Sequence, residues 1–110
     1  MSTTRREKIE AMLKDDPGDV FLRYSLALEM EAADEWEAGL EILEDLARGG
    51  PPYVPAFHMA AQHLIKRERI EDARRALREG IEAARQQGNT HAAGEMSELL
   101  MSLGVIGEDS

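Results

Sequence analysis

The 110-residue sequence contains no cysteine, which excludes disulfide bonds and thiolate metal ligands. It also lacks a long apolar run, and its first residues, Met1 to Arg6, lack the apolar core of a signal peptide. These absences predict a soluble chain that does not enter a membrane. Because a chain without cysteine suits a reducing compartment, we expect a cytoplasmic location.

Positive charge is scarce relative to negative charge, and the two are unevenly distributed. The formal net charge is −9, and nine acidic residues lie between Asp19 and Asp45 against one basic residue, Arg23. Nucleic acid is therefore not expected as a partner, because binding to phosphates needs a net positive face. The acidic stretch is either a solvated surface that keeps the protein soluble or a contact for a basic protein partner.

What the sequence does contain is a period of 34 residues. Ile9, Leu43 and Leu77 form one series. The other pairs at this spacing are Pro17 and Pro51, Arg23 and Phe57, Leu26 and Ala60, Ala27 and Ala61, Met30 and Leu64, Trp36 and Ile70, and Gly39 and Ala73. A fixed period in the range of about 20–50 residues is typical of stacked structural repeats. Such chains act through a surface that several repeats share.

Helix start and stop signals predict six helices and no strands, so the expected fold class is all-α. The first helix starts at a capping box, in which Thr4 and Glu7 satisfy free N–H groups of the first turn. Asp16 and Pro17 are predicted to start the second helix, which runs over about 17–32.

Glycines and a further capping box set the bounds of the remaining helices. Asp34 with Glu37 starts the third helix, and Gly49 with Gly50 ends it. The fourth helix starts near Val54, the fifth spans about 68–87 and ends at Gly88, and the sixth follows a cap at Asn89 or Thr90 and ends at Gly104. The tail, residues 105–110, is expected to fray.

The pattern resembles that of tetratricopeptide repeats and is similar to small bacterial proteins of this family. In the first repeat the signature positions hold Arg23, Leu26, Ala27, Met30, Gly39, Leu43 and Pro51, and in the second they hold Phe57, Ala60, Ala61, Leu64, Ala73, Leu77 and Arg85. Arg23 replaces a bulky aromatic residue, and Arg85 replaces a helix-ending proline, so the fifth helix can run on to Gln87. The resemblance covers about residues 20–85 and implies a right-handed superhelical array of antiparallel helix pairs.

A single repeat domain over 1–110 is the expected organisation. It divides into a leading half-repeat helix (1–16), a first repeat (17–50), a second repeat (51–87), a capping helix (88–104) and a tail (105–110). The last helix is interpreted as a cap because Gly94 and Glu95 fall where the family pattern has leucine and a small residue. Terminal repeats must cover the last apolar face of an array.

The resemblance implies that a ligand lies in the concave groove lined by the first helix of each pair. The corresponding groove positions are Phe21, Tyr24, Leu28, Glu31, Pro55, His58, Gln62 and Ile65, with Lys66 next along. An exposed tyrosine and leucine beside polar groups are typical of an interface core, although these residues could equally be an ordinary solvent-facing surface. The cationic clamp with which one subclass of the family binds acidic chaperone tails is absent, so a short basic or amphipathic peptide is expected.

We find no set of residues in the sequence that predicts catalysis, a metal site or a cofactor, so no enzyme activity is expected. His58 and His63 lie five positions apart, about 140° around a helix, and cannot share a metal ion as an i, i+4 pair would. The simpler interpretation is a histidine on the exposed face of a surface helix. The arginines of the fifth helix are interpreted as ion-pair partners of Glu71, Glu79 and Glu82.

Three functions remain open at this point. The first is a small, non-catalytic protein-interaction module or adaptor. The second is a secretion-type or cargo chaperone that shields an amphipathic helix of its cargo. The third is a structural domain that self-associates as a weak homodimer, through its first or last helix or through the edge at 51–55.

Overall fold

The computed structural model describes residues 4–107 and contains six α-helices in this range, with no strand among the residues described. They are α1 (Arg5–Asp15), α2 (Val20–Ala32), α3 (Trp36–Ala47), α4 (Val54–Lys66), α5 (Ile70–Gln86) and α6 (Thr90–Gly107). The all-α prediction is confirmed. Within the described part of the chain, no helix is long and apolar enough to cross a membrane.

Each helix packs against the next one along the chain. The most extensive contacts join α2 to α3, α4 to α5, and α5 to α6, while α3 joins the two helix pairs through α4. The array measures 53 × 30 × 18 Å, so it is an elongated slab rather than a sphere. This stacking of antiparallel pairs is the helical solenoid that the 34-residue period predicts.

The start of α1 is as predicted, but the start of α2 is not. Thr4 accepts a hydrogen bond from the backbone N–H of Glu7, whose carboxylate accepts one from the N–H of Thr4. The prediction that Asp16 caps α2 is wrong, because its N–H donates to Met12 and ends α1. The cap of α2 is Asp19, whose carboxylate accepts from the N–H of Leu22.

The predicted capping box of Asp34 with Glu37 is also wrong, because Asp34 belongs to the end of the preceding helix. Its φ is 65°, in the left-handed region, and the N–H of Glu35 donates to the carbonyl of Met30. This arrangement is a Schellman motif, which satisfies the last carbonyls of a helix. The motif recurs 34 residues later, where Glu68 has a φ of 59°, and again at Gly88, where φ is 72°.

The end of α5 is close to the predicted one, and α6 is longer than predicted. As expected from Arg85, α5 runs on to Gln86, and the side chain of Asn89 caps α6 by accepting from the N–H of Ala92. The prediction that Gly104 ends α6 is wrong, because the helix continues through it to Gly107. The predicted fraying of the tail falls in part on 108–110, which lie outside the described residues.

The core follows the 34-residue period. Leu43 and Leu77, one period apart, are both fully buried, as are Ala27 and Ala61. A Cβ placed on Gly39 would lie 2.8 Å from the carbonyl oxygen of Ala27, so a small residue is required where α3 crosses α2. The close approach of Gly39 to Ala27 shows that small residues at these positions set the spacing of α2 and α3.

Candidate functional site

Three helices meet around a small pocket, which we call the α4–α6 pocket. Its volume is about 190 Å³. Its lining residues are Tyr24 from α2, Val54, Pro55, His58, Met59 and Gln62 from α4, and Asn89, Ala92, Glu95 and Met96 from α6 and its cap. A volume of this size suits one side chain rather than a whole small-molecule ligand, since ligand pockets usually span about 300–1,000 Å³.

The pocket is bounded at the α2 side by an aromatic pair. The rings of Tyr24 and Tyr53 meet edge to face, with centroids 5.5 Å apart. Burial, with a smaller contribution from Tyr53, raises the pKa of the Tyr24 hydroxyl above its usual value. Tyr24 is therefore a neutral donor and acceptor at physiological pH, attached to a ring that is held in place.

The nine residues predicted from the repeat pattern divide into two groups. Tyr24, Pro55, His58 and Gln62 line the α4–α6 pocket. Phe21, Leu28, Glu31, Ile65 and Lys66 lie outside it. Phe21 is 64% exposed near the start of α2, whereas Leu28 and Ile65 are half-buried.

Glu31 and Lys66 instead belong to an ion-pair cluster between the ends of α2 and α4. The carboxylate of Glu31 lies 2.6 Å from the Arg67 guanidinium and 3.4 Å from the Lys66 ammonium. The guanidinium of Arg67 also lies 4.6 Å from the ring centroid of Trp36, a cation–π contact. Partial burial opposes ionisation of Glu31, but the hydrogen bonds from Arg67 and Lys66 outweigh it and lower its pKa.

His63 lies in the protein interior, so the interpretation of an exposed histidine is wrong for it. The side chain is 6% exposed, and its Nδ1 atom has no hydrogen-bond partner among the described residues. Burial lowers the pKa of His63 below its usual value, with Glu31 opposing and the cations Arg67 and Lys66 assisting. His63 is therefore neutral at physiological pH. His63 lies three residues after the buried Ala60, so the two residues share a face of α4. Sequence reasoning could have used this spacing to predict that His63 is buried.

Sequence reasoning missed the contribution of α6 to the pocket. Its prediction of a cap assumed an offset of 34 residues, at which Gly94 and Glu95 do not fit the repeat pattern. In the structure, Ala93 and Met96 are buried as Phe57 and Ala60 are, 36 residues earlier. The offset arises because α5 has 17 residues whereas α3 has 12, and a shorter connection follows it.

A second concavity lies between α3 and α5, with α4 as its floor, and we call it the α3–α5 cleft. Its volume is about 540 Å³, and its rim carries both arginines and carboxylates. Arg69 pairs with Asp72 at 2.8 Å, and Arg74 pairs with Glu71. The pairing with Glu71 agrees with the expected role of the α5 arginines, but the expected ion pairs with Glu79 and Glu82 do not form among the described residues.

The side chains that could hold a metal ion are scattered over the described residues. Among the residues described, no group of three or more histidine and carboxylate side chains is placed to hold a metal ion. The α4–α6 pocket combines a phenol, an imidazole, amides, one carboxylate and an apolar floor.

Comparison with solved structures gives a match over most of the chain. No family model matches the sequence, and no curated protein matches it. The structure is similar to the solution NMR structure of a tetratricopeptide repeat domain protein from Salinibacter ruber, with a TM-score of 0.75 and 30% sequence identity. The match covers 80% of this chain and 89% of that protein.

Proposed function

Since the chain belongs to the tetratricopeptide repeat family, we propose that it is a non-catalytic adaptor that binds a short peptide segment of a partner protein. Chains of this fold generally bind proteins or peptides. The binding surface in this proposal is the concave groove. It is lined by the solvent-facing sides of α2, α4 and α6, with the α4–α6 pocket at its centre.

One observation carries the proposal. Tyr24, His58 and Gln62 come from two helices one period apart, and they line the same pocket together with residues of α6. A surface shared between repeats is where a repeat protein presents its contacts. Few helices form this groove, so a bound segment is expected to be short and its affinity modest.

The exposed residues that flank the pocket are consistent with peptide binding. Phe21 is 64% exposed on the same stripe of α2 as Tyr24 and Leu28, because the three lie at i, i+3 and i+7. Exposed aromatic residues are enriched in interfaces. An amphipathic peptide can therefore contact Phe21 with an apolar residue while another side chain enters the pocket.

Affinity capture from the native lysate tests the proposal with two matched variants. His58→Ala with Gln62→Ala alters the groove, and Arg75→Ala with Glu79→Ala alters the α3–α5 cleft by the same number of side chains. We expect the groove variant to lose the partner and the cleft variant to retain it, with unchanged helical circular dichroism for both. Retention of the partner by the groove variant would show that the concave groove is not the site.

A second pair of substitutions, Tyr24→Ala with Leu28→Ala, probes the α2 side of the groove. Because the Tyr24 ring contacts Tyr53, this variant needs a thermal unfolding measurement beside it.

The capture experiment also separates the three candidate functions. One dominant apolar cargo would favour the chaperone, and several weaker partners would favour the adaptor. Light scattering that gives a dimer mass would favour self-association.

A further inference from the structure

The concave groove carries few charged side chains, and the formal charge in its pocket is negative. Along α2 the groove stripe is uncharged until Glu31, and along α4 it is uncharged until Lys66. These two residues pair with each other across the groove, at 3.4 Å, and Glu31 also pairs with Arg67. Of the residues that line the α4–α6 pocket, Glu95 alone carries a formal charge.

Glu95 is accessible to a ligand. Its side chain is 54% exposed, and its carboxylate lies 3.6 Å from the Nε2 atom of His91, one turn earlier on α6. The His91 side chain is 86% exposed and free to move away. A cation in the pocket would therefore meet the carboxylate without breaking a buried ion pair.

The remaining walls of the pocket suit the aliphatic stem of a long cationic side chain. Met59 and Ala92 supply apolar surface, with the fully buried Met96 beneath them, and methionine adapts its shape to what it contacts. Tyr24 adds an aromatic ring and Gln62 an amide at the rim. Lysine and arginine bury their methylene groups along such surfaces and keep the charged group at a polar edge.

We propose that the α4–α6 pocket is a subsite for one lysine or arginine side chain of the bound segment, with Glu95 as the anionic contact. This inference rests on the proposed function, and it adds the chemistry of the residue that the groove selects. The α3–α5 cleft gives no such selection, because arginines and carboxylates alternate on its rim.

The test uses single amino-acid probes and NMR chemical-shift titration of the isotope-labelled protein. The probes are the N-acetyl, N-methylamide derivatives of lysine, arginine, norleucine and glutamate. We expect the lysine and arginine probes to shift the amide signals of Ala92, Glu95 and His58, and the glutamate probe to leave them unchanged. Added salt should weaken binding of the two cationic probes, since the contact is half-exposed.

Three variants establish which group is responsible. Glu95→Gln keeps the shape of the side chain and should weaken binding of the cationic probes, up to about fivefold for a half-exposed ion pair. Glu37→Gln removes the same charge from α3 and should bind as the unmodified protein does. His91→Gln removes the neighbouring imidazole and should bind at least as well.

Three results would overturn this inference. They are equal binding of norleucine and lysine, unchanged binding by Glu95→Gln, and the absence of shifts with all four probes. None of them bears on the adaptor function, whose assignment to the groove fails if partner capture survives the groove substitutions. The two proposals can therefore fail independently.

Discussion

α2 and α4 are equivalent helices one period apart, and they are stabilised differently. Both contain 13 residues, but α2 buries Ser25 and Ala27, whereas α4 buries seven residues. The difference lies in their neighbours, since α2 packs against α1 and α3, whereas α4 packs against α3, α5 and α6. In a repeat array, burial is thus decided by position as well as by the repeat pattern.

The sequence has adapted to this difference at equivalent positions. Phe57 is 6% exposed in α4, whereas Arg23, one period earlier, lies at the surface and reaches Asp45 at 3.6 Å. The N-terminal part is further tied by Arg6, whose guanidinium makes two hydrogen bonds to Glu35. Apolar packing therefore holds the C-terminal half, and surface ion pairs contribute more to the N-terminal half.

The largest expected difference in stability is between alanine substitutions at the two equivalent positions, Phe57 and Arg23. Phe57→Ala should lower the free energy of unfolding by about 3–5 kcal/mol, because a buried aromatic side chain is removed from the core. Arg23→Ala should cost less than about 1 kcal/mol, as for other surface ion pairs. Urea denaturation followed by circular dichroism measures both, and similar losses at the two positions would contradict the comparison.

Gly80 in α5 and Gly94 in α6 differ in packing, and alanine at the two positions should have opposite effects on stability. A Cβ on Gly80 would lie 2.5 Å from the Cβ of Phe57 and 2.6 Å from the sulfur of Met96, which is fully buried. Gly80→Ala should therefore destabilise by about 1–3 kcal/mol. Gly94→Ala, at an open position inside α6, should stabilise by about 0.5–1 kcal/mol. Thermal unfolding distinguishes the two, and a stabilising Gly80→Ala would show that the three helices are less closely packed there.

The repeated helix ends provide a smaller, stabilising effect. Glu68 holds a left-handed φ of 59°, which glycine adopts without steric cost. Glu68→Gly should raise stability by up to about 1 kcal/mol, and Asp34→Gly by less, since aspartate tolerates this region better. Gly88→Ala is the matched reverse change and should destabilise. Loss of stability in Glu68→Gly would argue against the Schellman motif at that position.

The smallest expected effect is that of pH near neutrality, where the charge of one side chain, His63, changes. The lowered pKa of His63 means that the unfolded chain binds the proton more readily than the folded chain. The contribution of neutral His63 to the free energy of unfolding is fully present above the unfolded-state pKa of about 6.5. It is lost as the pH falls below that value. Glu31 and Glu35, whose pKa values are also lowered, add a second loss at more acidic pH.

The urea midpoint measured at several pH values checks this. It should fall as the pH drops below about 6.5, and His63→Leu should remove that step. His91→Gln, at an exposed position, should retain it. A step that persists in His63→Leu would assign the titration to another group.

Much of the fold could be predicted because the period places small and apolar residues at fixed positions. Ala27 against Gly39 and the buried pair of Leu43 and Leu77 follow directly from it. The cap at Asp34 could not be inferred, because aspartate serves both as an N-cap and in the left-handed region, and only the helix end decides between them.

The candidate site was predictable only in part, for a related reason. Tyr24, Pro55, His58 and Gln62 follow from the repeat positions, but Ala92 and Glu95 depend on where α6 starts. The Asn89 cap marks that start, but the lengths of α5 and of the connection after it place α6 two residues off the 34-residue period. The repeat pattern also does not predict the ion pair between Glu31 and Lys66, because that pair depends on the distance between α2 and α4.

Site-specific photo-crosslinking in the native lysate tests the concave groove most directly. A benzophenone amino acid in place of Gln62 lies at the α4–α6 pocket, and one in place of Arg75 lies in the α3–α5 cleft. Binding in the groove predicts a crosslinked partner from position 62 and none from position 75. A partner crosslinked from position 75 alone would contradict it.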